Sequence, residues 1–223
     1  MKIYKYKHTP RQALGKGLVT LRLVNKHLNL FSRLKEKYGE KIPEDHIKHL
    51  LENFFAFHPR NFMDVESNNL KWDTTVLDLG CGSIGESSDY TRPKGFDLNF
   101  RDFEPWFPRA LHEIGIKCIG IDCGNLEGEE FEHYSLDLLT RNLDFIPDHS
   151  IDYAHSRLLY SSPELSDRVR VTDQKLRDEV KDKEIPYWSC GDHERYSKET
   201  LKKIILPQLE RIVKPNGVFV YTD

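Results

Sequence analysis

Apolar residues recur at helical spacing along the first quarter of the chain. Between Leu18 and Tyr38 the positions Val19, Leu21, Leu23, Val24, Leu28, Phe31, Leu34 and Tyr38 predict one long amphipathic helix, with Gly39 placed to end it. A second helix is predicted from Pro43, with Glu44 and Asp45 in its first turn. It carries Ile47, Leu50, Leu51, Phe54 and Phe55 on one face before Pro59. Residues 1–15 show no period and contain Pro10 and Gly15, so they read as an irregular arm. Both helices need an apolar surface to cover, and the polar link Asp64 to Asn69 leads towards one.

Beyond that link the pattern changes to short apolar runs. Val76, Leu77 and Leu79 predict a buried parallel strand ending in Gly80, Cys81 and Gly82. Ser87 to Asp102 is polar and turn-rich, which reads as an insertion. A helix follows from Glu104 to Ile114, then strands at Lys117 to Ile121, Tyr134 to Leu136 and Ile151 to Ser156. Pro163 to Glu184 is charged and in part helical. Residues 185–196 read as a loop carrying Tyr187, Trp188, Cys190, His193 and Tyr196. A helix from Ser197 to Val213, with a kink expected at Pro207, and a turn at Lys214 to Gly217 lead into a last strand, Val218 to Tyr221.

The charge of the chain is uneven. The net charge is -3, but residues 1–48 hold 12 Lys or Arg against 4 Asp or Glu, leaving 21 against 32 in the remainder. Such a basic segment either meets a polyanion such as RNA or a lipid surface, or docks on the acidic remainder, the reading favoured here because no aromatic and basic residues alternate in it. No run of about 18 apolar residues is present to span a membrane. The start, MKIYKYKHTP, lacks the apolar stretch of a secretory signal, so the expected location is cytoplasmic. The four cysteines, Cys81, Cys118, Cys123 and Cys190, then read as reduced thiols. A zinc site of Cys118, Cys123, Cys190 and His193 is disfavoured because the first two bracket a strand rather than a knuckle, and no metal is expected.

Candidate chemistry gathers at strand ends. Asp78, Asp122 and Asp137 fall at or next to the carboxyl ends of successive strands, where open parallel sheets bind ligands. The two glycines after the first of these strands allow a tight turn whose amides can face a cofactor.

Taken in order, five segments resemble the class I S-adenosylmethionine-dependent methyltransferases from about Lys71 to the end. They are DLGCG at Asp78 to Gly82, GIDCGN at Gly120 to Asn125, SLDLL at Ser135 to Leu139, IPDHSIDYAHSRLL at Ile146 to Leu159, and RIVKPNGVFV at Arg211 to Val220. The resemblance implies an α/β, Rossmann-like, mostly parallel sheet flanked by helices over residues 71–223, with residues 1–70 as a basic arm and helical extension. It implies S-adenosyl-L-methionine as cofactor. The backbone of Gly80, Cys81 and Gly82 would pass beneath the methionine, and Asp78 would face its ammonium group directly or through water. Asp122 would accept from both ribose hydroxyls. Asp137 would take the adenine amino group, with Leu138 supplying a backbone amide and an apolar wall. Methyl transfer is an in-line displacement that mainly needs alignment and exclusion of water. Where the acceptor must lose a proton, His155, Tyr160 and His193 are candidate bases, and Arg157 could meet an acidic group.

This chain also departs from the family pattern. Ile84 stands where a third glycine is common, and the insertion sets Asp122 about 40 residues past Gly80 against roughly 20 in a dinucleotide fold. The sheet is expected to end after its fifth strand, leaving an edge for the amino-terminal helices or a second subunit of a homo-oligomer to cover. The favoured reading is a methyltransferase acting on a small-molecule acceptor, with Ser87 to Asp102 and Pro163 to Tyr196 as lid and pocket. The alternatives are a cofactor-binding regulatory protein, and an RNA or protein methyltransferase docking through the basic helices. A nicotinamide oxidoreductase is a further one, since Gly80, Gly82 and Gly85 also satisfy G-x-G-x-x-G.

Overall fold

The structure is a computed structural model and describes residues 1–5, 11–58, 72–83, 104–138, 140–156 and 203–221. The elements in chain order are β1 (Lys2–Lys5), α1 (Arg11–Leu28), α2 (Leu30–Tyr38), α3 (Glu44–Phe57), β2 (Trp72–Leu79), α4 (Trp106–Glu113), β3 (Ile116–Asp122), β4 (Glu132–Ser135) and β5 (Ile151–Ser156). A helix over residues 203–212, α5, and β6 (Val213–Tyr221) complete it. The insertion 87–102, the segment 163–184 and the aromatic loop 185–196 lie outside the described residues.

The fold is α/β. All six strands are parallel in the order β1-β6-β5-β2-β3-β4. From β2 the chain adds β3 and β4 on one side and then crosses to add β5 and β6 on the other. The order reverses between β2 and β5, and in open α/β sheets that reversal opens the ligand crevice at the strands' carboxyl ends.

The sheet has six strands, not the expected five, because the supposed irregular arm starts with a strand. β1 pairs with β6 over Lys2–Val218 to Lys5–Tyr221, so the edge expected to need a helix or a second subunit is taken by the chain's own amino terminus. The terminal ammonium donates to Pro215 O at 2.9 Å, and Tyr4 stacks on Phe57 of α3 with ring centroids 4.7 Å apart. The expected Leu18 to Tyr38 helix is two helices, beginning at Arg11 and breaking at Asn29, which sits in the left-handed region at φ 51°. Asn tolerates that conformation better than most residues. The Lys214 to Gly217 turn is a bulge inside β6: Ile151 pairs with Val213, but Tyr153 pairs with Val218.

Strand alternation divides the core into two layers. One face of the sheet presents Val76, Cys118, Tyr153, Val218 and Val220 to α1, α2, α3 and α4. The other presents Leu77, Leu79, Ile119, Ile121, Ala154 and Phe219 to Ile205, Leu209 and Ile212 of α5, together with Leu143 and Ile146. The amino-terminal helices therefore share one continuous cluster with the sheet. Part of their positive charge also docks on the remainder, since Arg33 and Lys37 both pair with Glu113, at 2.7 and 2.8 Å. Lys37 also bonds Glu130. Among the described residues no helix is long and apolar enough to cross a membrane.

Two glycines of α1 have opposite surroundings. A Cβ at Gly17 would lie 2.0 Å from the backbone oxygen of Glu52 in α3, whereas a Cβ at Gly15 would meet nothing within 4 Å. Gly15→Ala should stabilise the protein by about 0.5–1 kcal/mol through helix propensity. Gly17→Ala should force the helices apart and destabilise by about 2 kcal/mol net. Urea unfolding of both variants checks the pair, and equal effects would contradict the packing.

Candidate functional site

The site is built where β2, β3 and β4 end. Leu79 leads into a turn in which Gly80 and Gly82 adopt φ 69° and 93°, values that favour glycine. The Gly80 and Cys81 amides both donate to Ile121 O, at 2.8 and 3.1 Å, and the Gly82 amide donates to Asp122 Oδ2 at 3.0 Å. The other carboxylate oxygen of Asp122, Oδ1, accepts from the Gly124 amide at 2.9 Å. The turn's amides are thus engaged by protein acceptors. Gly80 and Gly82 bring no side chains to the turn, and the Asp122 carboxylate lies against it.

Close packing holds this arrangement. A Cβ on Gly124 would sit 2.2 Å from Ser83 Oγ, and one on Gly120 would sit 2.6 Å from the Phe131 ring and 3.1 Å from Cys81 Sγ. The Leu136 amide donates to Asp122 O at 2.7 Å and Ser135 Oγ donates to Gly124 O at 3.0 Å, which fastens the end of β4 to the same corner. Asp137 then opens a turn, its carbonyl accepting from the Thr140 and Arg141 amides. Leu138 is buried in the apolar layer beside Leu77 and Ile119. Gly80, Cys81, Gly82 and Asp122 therefore meet at one corner, with the end of β4 fastened to it and Asp78 buried one residue before Leu79 ends β2.

The Cys81 side chain turns inward, into a small cluster with Leu126 and Phe131. Burial pushes its thiol well above the ordinary range, and the Asp78 and Asp122 charges add to the shift; burial and then Asp78 do the same to Cys118. Neither is a nucleophile at neutral pH. Cys123 is exposed one residue past Asp122. Among the described residues no group of three or more His, Cys, Asp or Glu side chains is arranged to hold a metal.

Asp78 is not presented to the crevice as a lone carboxylate. Its Oδ1 lies 2.7 Å from Nδ1 of His155, with the two residues only 2% and 3% exposed. They are register partners on β2 and β5, at the point where the strand order reverses. The Phe107 ring lies 4.8 Å from the imidazole, and Tyr153 stacks beneath it at 6.5 Å with an interplanar angle of 14°. Of the three candidate bases His155 is therefore placed; Tyr160 and His193, with Arg157, lie outside the described residues.

Sequence reasoning missed Gly124 and the Asp78–His155 pairing. Gly124 had a local signal, since an Asp bonding the amide two residues on is a common turn device. The pairing had a weaker one: two strand ends meeting where the topology reverses.

Comparison with family models, with curated proteins and with solved structures finds no match to this chain.

Proposed function

We propose that the chain is an S-adenosylmethionine-dependent methyltransferase acting in the cytoplasm on a small-molecule acceptor. The observation that carries this reading is the chemistry of the glycine turn. A dinucleotide site needs backbone amides aimed at a pyrophosphate. Here the amides of Gly80, Cys81 and Gly82 are bonded to Ile121 O and Asp122 Oδ2, so the Asp122 carboxylate lies against the turn. Such a corner repels phosphate and suits a nucleoside whose far end is cationic.

In this reading the residues divide the ligand among them. Gly80 and Gly82, without side chains, let the amino-acid end lie close to the strand. Asp122 stands at the ribose, and an ionised carboxylate has about four acceptor positions, of which the Gly82 and Gly124 amides take two. Asp137 and Leu138 bound the base end, one with a carboxylate and the other with an apolar side chain. When bound, S-adenosylmethionine supplies a methyl group already activated on sulfur. The protein's part is to hold the donor in line with the acceptor and exclude water.

Two features behind the alternatives have partners within the chain. The sheet edge beyond β6 is paired with β1. The basic helices that motivated RNA or protein docking direct Arg33 and Lys37 to Glu113, and Lys37 also to Glu130.

Calorimetric titration with S-adenosylmethionine, S-adenosylhomocysteine and NAD tests the reading. The first two should bind and NAD should not; NAD binding without S-adenosylmethionine binding would overturn it.

A further inference from the structure

We infer that Lys37 of α2 is a positioning residue for the corner at Asp122: it holds Glu130, and through it the segment 126–131 packed behind the glycine turn. This rests on the reading of the corner as an S-adenosylmethionine site and goes beyond it in giving the helical extension a part in that site.

The segment joins the corner to the extension. It leaves the corner just past Gly124 and returns through β4, whose end is fastened there by Ser135 and Leu136. Leu126 and Phe131, 0% and 4% exposed, form with Cys81 the small apolar cluster behind the turn. That cluster has no slack. A Cβ on Gly120 would sit 2.6 Å from the Phe131 ring and 3.1 Å from Cys81 Sγ, so a displaced Phe131 leaves the turn's middle residue without its packing.

Two anchors hold the segment from the other side. Glu129 is taken by the buried Arg109 of α4, with Nη2 at 2.6 Å. Glu130 is taken by Lys37, whose ammonium also donates to Glu113 at 2.8 Å. Tyr38, the next residue of α2, lies against the Arg109 guanidinium, so the two anchors are neighbours. They differ in their access to water. Lys37 lines a cleft of about 480 Å³ together with Arg33, Glu36, His112, Glu113 and Glu130. The Glu130 side chain is 56% exposed, and its next cationic neighbour, His112 Nε2, stands farther off at 3.5 Å. Salt therefore screens the Lys37–Glu130 contact far more than the buried Arg109–Glu129 pair.

The test is calorimetry on the full chain with adenosine and S-adenosylhomocysteine, at low ionic strength and at about 0.5 M salt. Adenosine carries no charge of its own, so salt acts on its affinity through the protein. Wild type should bind adenosine about three- to tenfold more weakly at high salt, and Lys37→Met should show the weaker affinity at both. Glu130→Gln should match Lys37→Met, and the double variant should lose nothing further. S-Adenosylhomocysteine should follow adenosine by the same factors. Lys35→Met removes a different ion pair of α2, to Glu44 of α3, and should bind as wild type does. Lys37→Met leaves Glu113 paired with Arg33 at 2.7 Å, so no buried charge is stranded.

Unchanged adenosine affinity in Lys37→Met or Glu130→Gln would overturn the proposal. So would salt sensitivity that persists in both variants, or an equal loss in Lys35→Met. If wild type binds neither S-adenosylmethionine nor S-adenosylhomocysteine, the cofactor reading itself fails and this proposal falls with it; binding that is the same in wild type and variants removes the proposal alone. Should Lys37→Met not fold by its thermal melt, Glu130→Gln, at an exposed side chain, decides.

Discussion

Arg109→Ala is expected to lower the unfolding free energy by about 3–5 kcal/mol, the cost of leaving a buried charge without its partner. The guanidinium is 4% exposed and has been built into a closed box. Its Nε and Nη2 donate to the Glu129 carboxylate, with Nη2 at 2.6 Å from Oε1, and its Nη1 donates to Glu104 at 2.5 Å. The guanidinium also lies against the Tyr38 and Trp106 rings, with Cζ 4.3 and 4.7 Å from their centroids. Burial works against the charge, but the bonds to Glu129 and Glu104 outweigh it and hold the group above its ordinary range.

Alanine removes the guanidinium that pairs with Glu129, whose side chain is 2% exposed. It also removes one of the contacts by which α4 holds Tyr38 of α2, the other being Trp106. Lysine should rescue little, because a point charge cannot reproduce the bidentate bond or the stacking. Adding Glu129→Gln to Arg109→Met should recover a large part of the loss, since a neutral pair leaves no buried charge. Urea unfolding measures all of these. A loss below about 1 kcal/mol for Arg109→Ala would place the cluster among ordinary surface ion pairs and contradict the burial.

What the chain's pattern discloses depends on whether the information is local. α3 is readable almost to the residue, because its apolar stripe, its acidic first turn and Pro43 lie within one window. β2 and β3 are readable because strands buried on both faces write themselves as apolar runs, and β5, with three polar residues in six, is readable from the turn at Asp148 to Ser150 before it. β1 is not, since Lys2–Lys5 has two apolar residues in four positions and its register partners, Val218 to Tyr221, lie at the far end of the sequence. No local period encodes such a partner.

The site shows the same divide. Asp78, Asp122 and Asp137 are visible as acidic residues at strand ends. That Asp122 closes the glycine turn on itself follows only from a register bringing β3 beside β2. The Asp78–His155 contact joins residues 77 positions apart. Arg109 gives no sign of burial in the sequence, because its counter-charges Glu104 and Glu129 flank it at a distance of 5 and 20 residues.

The second large effect is expected at Asp122, where Asp122→Ala should weaken S-adenosylhomocysteine binding by about 1.5–3 kcal/mol, the range for hydrogen bonds to a charged group. Two contributions reach the same ligand. The carboxylate is the acceptor assigned to the ribose, and it also holds the Gly82 and Gly124 amides that shape the turn. Asp122→Asn separates them in part. Its carboxamide has one acceptor oxygen and an amine that would face a second amide donor, so the turn must open on one side and affinity should again fall.

Comparing probes isolates the ribose contact. Adenosine carries the ribose without the amino acid, so Asp122→Ala should weaken adenosine and S-adenosylhomocysteine by similar factors. Asp78→Asn, acting at the opposite end of the corner, should weaken S-adenosylhomocysteine and leave adenosine little changed. Calorimetry with both ligands on both variants, after a thermal melt to establish folding, gives four affinities. Unchanged adenosine affinity in Asp122→Ala would remove the ribose assignment. A uniform loss of both ligands in Asp78→Asn would mean that the corner responds as one structural unit rather than as two contacts with separate parts of the ligand.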